Sequence, residues 1–569
     1  MSRGRRLPRP RERAARRGCC PCRATLPHLS SVFSPAAASM LLECGAAGGR
    51  VGSRRFLLFS VVGGEYRKRH RQRLHPDLRA LVPSAAMTAT VARRQPTPGH
   101  AGAGLWARAV LAASTVFVLV YGGLMVARHH LFYVHAFDFG IFDQGLWLLS
   151  RFQEPFVTVR GLHLFADHSS YLMLLLVPLY WVLPAQELLI VLTVVLLAAG
   201  GPLSYALARS FGATPGLSAV VAAGFLLHPA LTWAARDGFH PEYAAIPLVI
   251  AAVLLIKKNH DGWALVLIAA AILTKEDAAL LLVPLGIYIA VVMGRRKTGA
   301  VIAVASAAAM ALSFGVLLPH FSPTGTVLYS DRYDALGTGI LGIGWGMLTR
   351  PQVVLSGLLA PTSLGYLAAI VFPIPLALLA PRALILGIPT LLANVLSEHT
   401  YQSSIKYHYT AYLIAVVAIA AATGVPKLVG RSRGVITAAV VVSLGAGLGA
   451  QVWLGPTPLA PPPSWPPADR AVMREALAMI PEDTVVSAFD SFVPHLTHRT
   501  TVYEFPNPWQ PLNWGAPGVT LPDTADVEWV LVRTDIYPEQ QQQIDALRHS
   551  DAFEVVFEEH PVLLLHRGG

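Results

Sequence analysis

Residues 106–147 read W-A-R-A-V-L-A-A-S-T-V-F-V-L-V-Y-G-G-L-M-V-A-R-H-H-L-F-Y-V-H-A-F-D-F-G-I-F-D-Q-G-L-W. The stretch 106–127 is long and apolar enough to cross the roughly 30 Å hydrocarbon core of a bilayer as one helix. Two carboxylates, Asp138 and Asp143, follow it almost at once. A membrane span running straight into an acid-bearing loop sets the terms for the rest of the chain.

Similar apolar runs recur over most of the 569 residues. They predict a mainly α, polytopic membrane helical bundle of about eleven spans, by the criterion of roughly 17–25 apolar residues each, some shorter. The segments are 106–127, 187–208, 215–232, 243–256, 262–275, 277–293, 299–318, 363–380, 383–397, 409–424 and 434–454. Residues 169–184 read as an interfacial helix, and 351–361 is ambiguous. The composition agrees, with 54% hydrophobic residues and 14% charged. A soluble domain carries roughly 25% charged residues, so a disordered chain is excluded and a soluble enzyme disfavoured. Four cysteines supply no disulfide framework.

The net charge of +12 conceals three different regions. Residues 1–86 hold 18 Lys/Arg against 4 Asp/Glu, 87–467 hold 21 against 13, and 468–569 hold 6 against 16. No single basic surface exists, and nucleic-acid binding is not predicted. Residues 1–86 are rich in Arg, Pro and Ala and contain every cysteine. The C-C-x-C cluster at Cys19, Cys20 and Cys22 lacks a second ligand pair at zinc spacing. The segment reads as a disordered or mis-assigned upstream extension, with Met87 a plausible start.

Lysine and arginine placement assigns sides. With Arg93, Arg94 and Arg108 in the cytoplasm, alternate loops carry Arg209, Lys257 and Lys258, Arg295 to Lys297, Arg382, and Lys427, Arg431 and Arg433. All fall on the cytoplasmic side. The long loops 128–186 and 319–362 and the C-terminal region fall outside. The expected organisation is therefore a membrane domain over 87–454, a Pro-rich linker over 455–467 and an extracytoplasmic α/β domain over 468–569. In that last domain, helices are expected over Asp469–Ile480 and Pro538–Arg548, and short strands over Thr484–Ala488, Val527–Arg533 and Val562–Leu565. Its Trp465, Trp509, Trp514 and Trp529 read as core or interface aromatics, with sugar stacking the alternative.

Ionisable residues at a membrane are costly, so their positions carry information. They gather on the outer face: Asp138, Asp143, His163, Asp167 and His168 in the first loop; then Arg236, Asp237, His240 and Glu242; then Lys275, Glu276 and Asp277; then His320, Glu398, His399, Lys406 and His408. Each has a plain structural alternative. Asp138 and Asp143 stand about 140° apart on a helix, so they do not share a face, and one of them could cap it. The Gly and Pro of R-D-G-F-H-P-E could mark only a turn. Lys275-Glu276-Asp277 could neutralise itself. Lys406 and His408 could be interface residues in an aromatic belt.

Four blocks carry a family resemblance: F-D-F-G-I-F-D-Q-G-L-W (137–147), D-H-S-S-Y-L (167–172) leading to P-L-Y-W (178–181), F-H-P-E (239–242) and T-K-E-D (274–277). In these, and in the order of its elements, the chain from about 106 to 567 resembles the GT-C superfamily of integral-membrane glycosyltransferases. Closer still, it is similar to a bacterial predicted-membrane-protein family, domain of unknown function 2079. Ser170 stands where that family is expected to have proline.

The resemblance implies transfer of a sugar from a polyprenyl-phosphate donor to a cell-envelope glycan or lipid acceptor outside the bacterial plasma membrane. It implies Asp138 as the acid that accepts the acceptor's proton, with Asp143 as a second catalytic candidate. Gln144, Trp147, His168, Arg236, His240, Glu242, Lys275, Glu276, Lys406 and His408 become candidate substrate contacts, the cations among them facing the departing phosphate. A divalent metal, Mg or Mn, is an alternative partner for that phosphate, with Asp138, Glu242 and Asp277 as candidate ligands. Two other classes stay open. A transporter or lipid flippase would place ionisable groups near the midplane in paired halves; a non-catalytic envelope scaffold would tolerate replacement of the outer acids.

Overall fold

The computed structural model describes residues 98–456, 465–516, 518–535 and 538–568. The expectations for residues 1–86 and for Met87 lie outside these, as does most of the Pro-rich linker. The described chain is mainly helical.

Among the described residues, five helices are long and apolar enough to cross a membrane: Ala103–His130, Gln186–Ser210, Arg296–Phe321, His408–Leu428 and Arg433–Leu454. Two bent pairs, Pro215–Leu226 with Pro229–Asp237 and Pro351–Leu359 with Pro361–Val371, raise the number to seven if each counts as one span. Length and composition thus support five to seven spans where the apolar runs predict about eleven. The difference has a physical cause. Ala245–Lys257, Asp261–Ile272 and Ala279–Val291 are helices of 13, 12 and 13 residues, about 20 Å at 1.5 Å per residue. Polar turns containing Pro241, Lys275 and Glu276 interrupt them.

His408–Leu428 is the central element, with 83% of its apolar window buried. Ala103–His130, Arg296–Phe321 and Arg433–Leu454 bury only 22% of theirs and form the periphery. Such exposed apolar flanks suit lipid contact, since water would penalise them. Helix starts follow ordinary capping chemistry: the Thr214 hydroxyl accepts from Leu217 N and Pro215 opens the helix. Residues Ala279–Val291 and Arg296–Leu312 run against each other at very short range. A Cβ at Gly286 would lie 2.6 Å from Ala303 N, so only glycine permits that approach.

The C-terminal region contains a five-stranded sheet in the order Val502–Glu504, Val486–Ala488, Trp529–Arg533, Val562–Arg567, Phe553–Glu559. The first three strands are parallel, and the last two join antiparallel. Helices Pro467–Ala478 and Pro538–Arg548 accompany it. Two of these strands, Val502–Glu504 and Phe553–Glu559, have no counterpart in the sequence reading. Trp529 packs at the edge of one core cluster, and Trp509 and Trp514 at the edge of another.

The sheet region is tied to the loop after the first long helix. Asp490 accepts from Ala136 N at 2.6 Å and pairs with His135 Nδ1 at 2.6 Å. Arg160 donates to the carbonyls of Asn513 and Gly515 at 2.6 and 2.7 Å. These ties place residues from both regions around one set of cavities.

Candidate functional site

Asp138 lies in the turn Ala136–Gly140 with φ +64° and ψ −72°. An L residue seldom adopts that conformation, and it persists only where the surroundings enforce it. The Asp490 clamp on Ala136 supplies part of the enforcement. The carboxyl remains about one third exposed and faces a cavity of about 530 Å³. Enclosure by protein, then the carboxylates of Asp237, Asp167 and Glu242, hold the Asp138 carboxyl well above the usual carboxylate range.

Four separate turns converge here. His240 Nε2 lies 4.0 Å from Asp138 Oδ2 and 3.4 Å from Asp237 Oδ2. His408 Nδ1 lies 3.6 Å from the same Asp237 oxygen, and its Nε2 lies 3.7 Å from Glu242 Oε1. The two imidazoles stack with centroids 3.9 Å apart. Behind them Glu242 takes a 3.2 Å contact from Lys275 Nζ, both side chains almost fully buried. Glu276 accepts from Ser169 N at 2.9 Å and pairs with His168 Nδ1 at 2.9 Å, while Asp277 accepts from Tyr412 OH at 3.0 Å.

Two cavities adjoin at this cluster. The 530 Å³ cavity is lined by Asp138, Arg160, His240, His408, Tyr401, Tyr407 and, from the C-terminal region, Asn513, Gly515 and Ala516. The other, about 910 Å³, is walled by apolar residues such as Met310, Phe314, Leu318, Ile340 and Leu341 and ends on Lys275, Glu276 and Asp277. Asp167, His168, Tyr329, Arg332 and Tyr409 line both. Arg332 stands over the Tyr329 ring at 4.1 Å and donates to Tyr409 OH at 3.4 Å, while its Nε has no partner. Tyr329 donates to Asp167 and accepts from Arg160 Nη2 at 3.3 Å.

The candidate residues from the sequence divide by position. Asp138, His168, His240, Lys275, Glu276 and His408 line one or both cavities. Glu242 lies just behind the lining, held by Lys275 and beside His408. The structure places the remaining five elsewhere. Asp143 is fully buried; it accepts from Tyr180 and Thr497 hydroxyls and meets His498 Nε2 at 3.2 Å. It is an anchor for the C-terminal region, because the helix Ile141–Ser150 turns it away from Asp138. Gln144 is similarly consumed by Thr158 Oγ1 at 2.9 Å and the carbonyls of Arg499 and Thr500. Trp147 stacks near His498. Arg236 and Lys406 both lie over the Trp233 ring, and neither lines the two adjoining cavities. The metal set Asp138, Glu242 and Asp277 is also not the one brought together. Among the described residues, the group with ligand atoms within 4.8 Å of one another is Asp237, His240 and His408.

Sequence reasoning passed over Arg332, Tyr329, Tyr409 and Arg160. The available signal was the S-D-R-Y stretch at 330–333, polar residues set within a long loop between apolar helices.

Apolar helices long enough to span a bilayer, with ionisable turns gathered around two cavities, define an integral membrane protein with a buried polar site. The chain belongs to the predicted membrane protein family DUF2079, whose family model matches residues 128–560. No curated protein matches it. Two crystal structures of ArnT from Cupriavidus metallidurans are similar, one bound to undecaprenyl phosphate and one in the apo state. Each has a TM-score of 0.49 over 81% of this chain; identity is 14% and 13%, with 97% and 98% of those chains covered.

Proposed function

We propose that the protein is a membrane glycosyltransferase that moves a sugar from a polyprenyl-phosphate donor to an extracytoplasmic cell-envelope acceptor. The observation that carries this reading is the pair of adjoining cavities. The larger offers an apolar wall for a lipid tail and a polar end for its phosphate. The smaller offers aromatic and polar walls suited to a sugar or another hydroxyl-bearing acceptor. Arg332 stands at their junction.

In this reading the acceptor hydroxyl enters the smaller cavity and gives its proton to Asp138. Its oxygen forms the new bond to the anomeric carbon as the bond from that carbon to the phosphate oxygen breaks. The electron pair stays with the departing phosphate. Arg332 meets that charge with its guanidinium; Lys275 is already engaged by Glu242 and adds a screened field from behind. Enclosure and the neighbouring carboxylates raise the Asp138 carboxyl's affinity for a proton, which suits a group that must take one up. The proposed orientation puts the N-terminal side in the cytoplasm and residues 468–569 outside, following the Lys/Arg distribution.

The test is transfer in proteoliposomes holding the full chain, polyprenyl-phosphate sugars and extracted envelope acceptors, followed by mass spectrometry. The reading expects a glycosylated acceptor and release of polyprenyl phosphate. Arg332→Ala should raise the donor KM at least tenfold. Absence of any product across the common polyprenyl-phosphate sugars, with the protein folded, would remove the proposal.

A further inference from the structure

We propose that Asp237, His240 and His408 form a divalent transition-metal site, zinc its best-matched occupant, opening onto the cavity that contains Asp138. The site stands independently of the glycosyltransfer reading, because it concerns what the resting protein binds.

The geometry is the first argument. Zinc binds imidazole nitrogen and carboxylate oxygen at about 2.0–2.2 Å, so two tetrahedral ligand atoms on one ion stand about 3.4 Å apart. His240 Nε2 and His408 Nδ1 lie 3.4 and 3.6 Å from Asp237 Oδ2, and all three ligand atoms fall within 4.8 Å of one another. A direct hydrogen bond between imidazole and carboxylate would close one of these gaps to about 3.2 Å or less. Instead both nitrogens stand back from the oxygen by nearly equal amounts.

The second argument is unmet valence. His240 Nε2 and His408 Nδ1 are buried and neither has a hydrogen-bond partner. Their side chains are 3% and 9% exposed. Two orphaned ring nitrogens at one point cost free energy unless something accepts both lone pairs. A cation does so.

The third argument is orientation and charge. Tyr243 OH and His408 N donate to Asp237 Oδ2 at 2.9 and 3.1 Å, fixing the carboxylate as outer partners fix metal ligands. The turn at Gly238, φ +104°, swings Asp237 and His240 onto one point across the R-D-G-F-H-P-E bend. Asp138, Asp237 and Glu242 bring three carboxylates to the cluster, and the buried ammonium beside them, Lys275, is spent on Glu242.

Two imidazoles favour zinc, and after it manganese or ferrous iron, over magnesium, which prefers oxygen and water. Three protein ligands leave a fourth position open, the arrangement of zinc sites that bind a small oxyanion or water. His240, His408 and Asp138 all line the cavity, so that position faces ligand.

The experiment uses the full chain in detergent, stripped with chelator, reloaded with Zn²⁺ and freed of excess metal. Elemental analysis should give about one zinc per chain, and X-ray absorption at the zinc edge should show scattering from two imidazoles. His240→Ala and His408→Ala should each weaken zinc binding at least tenfold, while His130→Ala should retain it. A folded parent that holds no zinc, a spectrum without imidazole scattering, or full zinc retention by both histidine variants would overturn the site. The spectrum of the parent decides the matter even if a variant fails to fold. Metal binding without transfer would leave the site standing and sink the glycosyltransfer reading; transfer without metal binding would do the reverse.

Discussion

Asp138 occupies a backbone conformation that costs an L residue on the order of 1–3 kcal/mol and points a carboxyl into a cavity rimmed by other acids. Both features work against stability, and glycine would relieve both. Asp138→Gly should therefore raise the thermal midpoint, by about 1 kcal/mol of stability or more, while abolishing transfer. Thermal unfolding followed in detergent reads the first effect; an unchanged or lower midpoint would show that the turn is not strained. Lys275 and Glu242 behave in the opposite way. Their pair is almost fully buried, so Glu242→Gln leaves an ammonium without its counterion, at about 3–5 kcal/mol. The same protein carrying Lys275→Met as well should recover most of that loss. Equal midpoints for the single and double variants would contradict the pairing. At this scale the sequence was partly legible. Charged residues near a membrane announce themselves by their cost, and Asp138, His240 and Lys275 were found that way. Asp143 reads from the sequence as a second catalytic candidate because its partners Thr497 and His498 lie some 350 residues downstream, a proximity that no local pattern encodes. Arg332 was missed because a lone arginine in a long loop has no periodicity to mark it.

Among the elements, the edge strand Val502–Glu504 ties the C-terminal sheet to the loop after the first long helix: Thr158 Oγ1 donates to Val502 O at 2.8 Å and accepts from Val502 N at 2.9 Å. Its Glu504 is buried, and burial first, then Asp490, pushes its carboxyl up to about 7. The sign follows from proton linkage. The folded state binds this proton more tightly than the unfolded chain, whose carboxyl titrates near 4.3. The stabilising contribution is full below that lower value and is lost as pH rises toward 7 and above. Melting midpoints should fall between pH 5 and pH 8 for the parent, and Glu504→Gln should flatten that slope and be the more stable form at pH 8. A slope unchanged by the substitution would rule Glu504 out as its source. Helices were read well because apolar runs of a dozen residues or more, bounded by Pro and Gly, have few other solutions. The strands Val502–Glu504 and Phe553–Glu559 escaped. The first is three residues long, too short for alternation to emerge. The second is an edge strand, largely exposed and rich in glutamate, and so lacks the buried face that reveals a strand.

For the molecule as a whole, five to seven of the described helices meet the length and composition of a span where the apolar runs predict about eleven, because hydropathy does not say where a run bends. Ala245–Lys257 and Asp261–Ile272 are helices of 13 and 12 residues, and they carry His240, Glu242 and Lys275 on their flanking turns. Short helices bring the polar turns together, and the Asp490 and Arg160 ties hold the C-terminal region against the loop after the first long helix. The account makes this convergence the reaction centre, with a lipid phosphate on one side and an acceptor hydroxyl on the other. Its most direct measurement compares Asp138→Asn with the parent protein in the same proteoliposomes, recording donor binding and single-turnover sugar transfer together. The account predicts donor binding within about threefold of the parent and a transfer rate lower by roughly 10²–10⁴, the range a general base contributes. Transfer by Asp138→Asn at the parent's rate would contradict it.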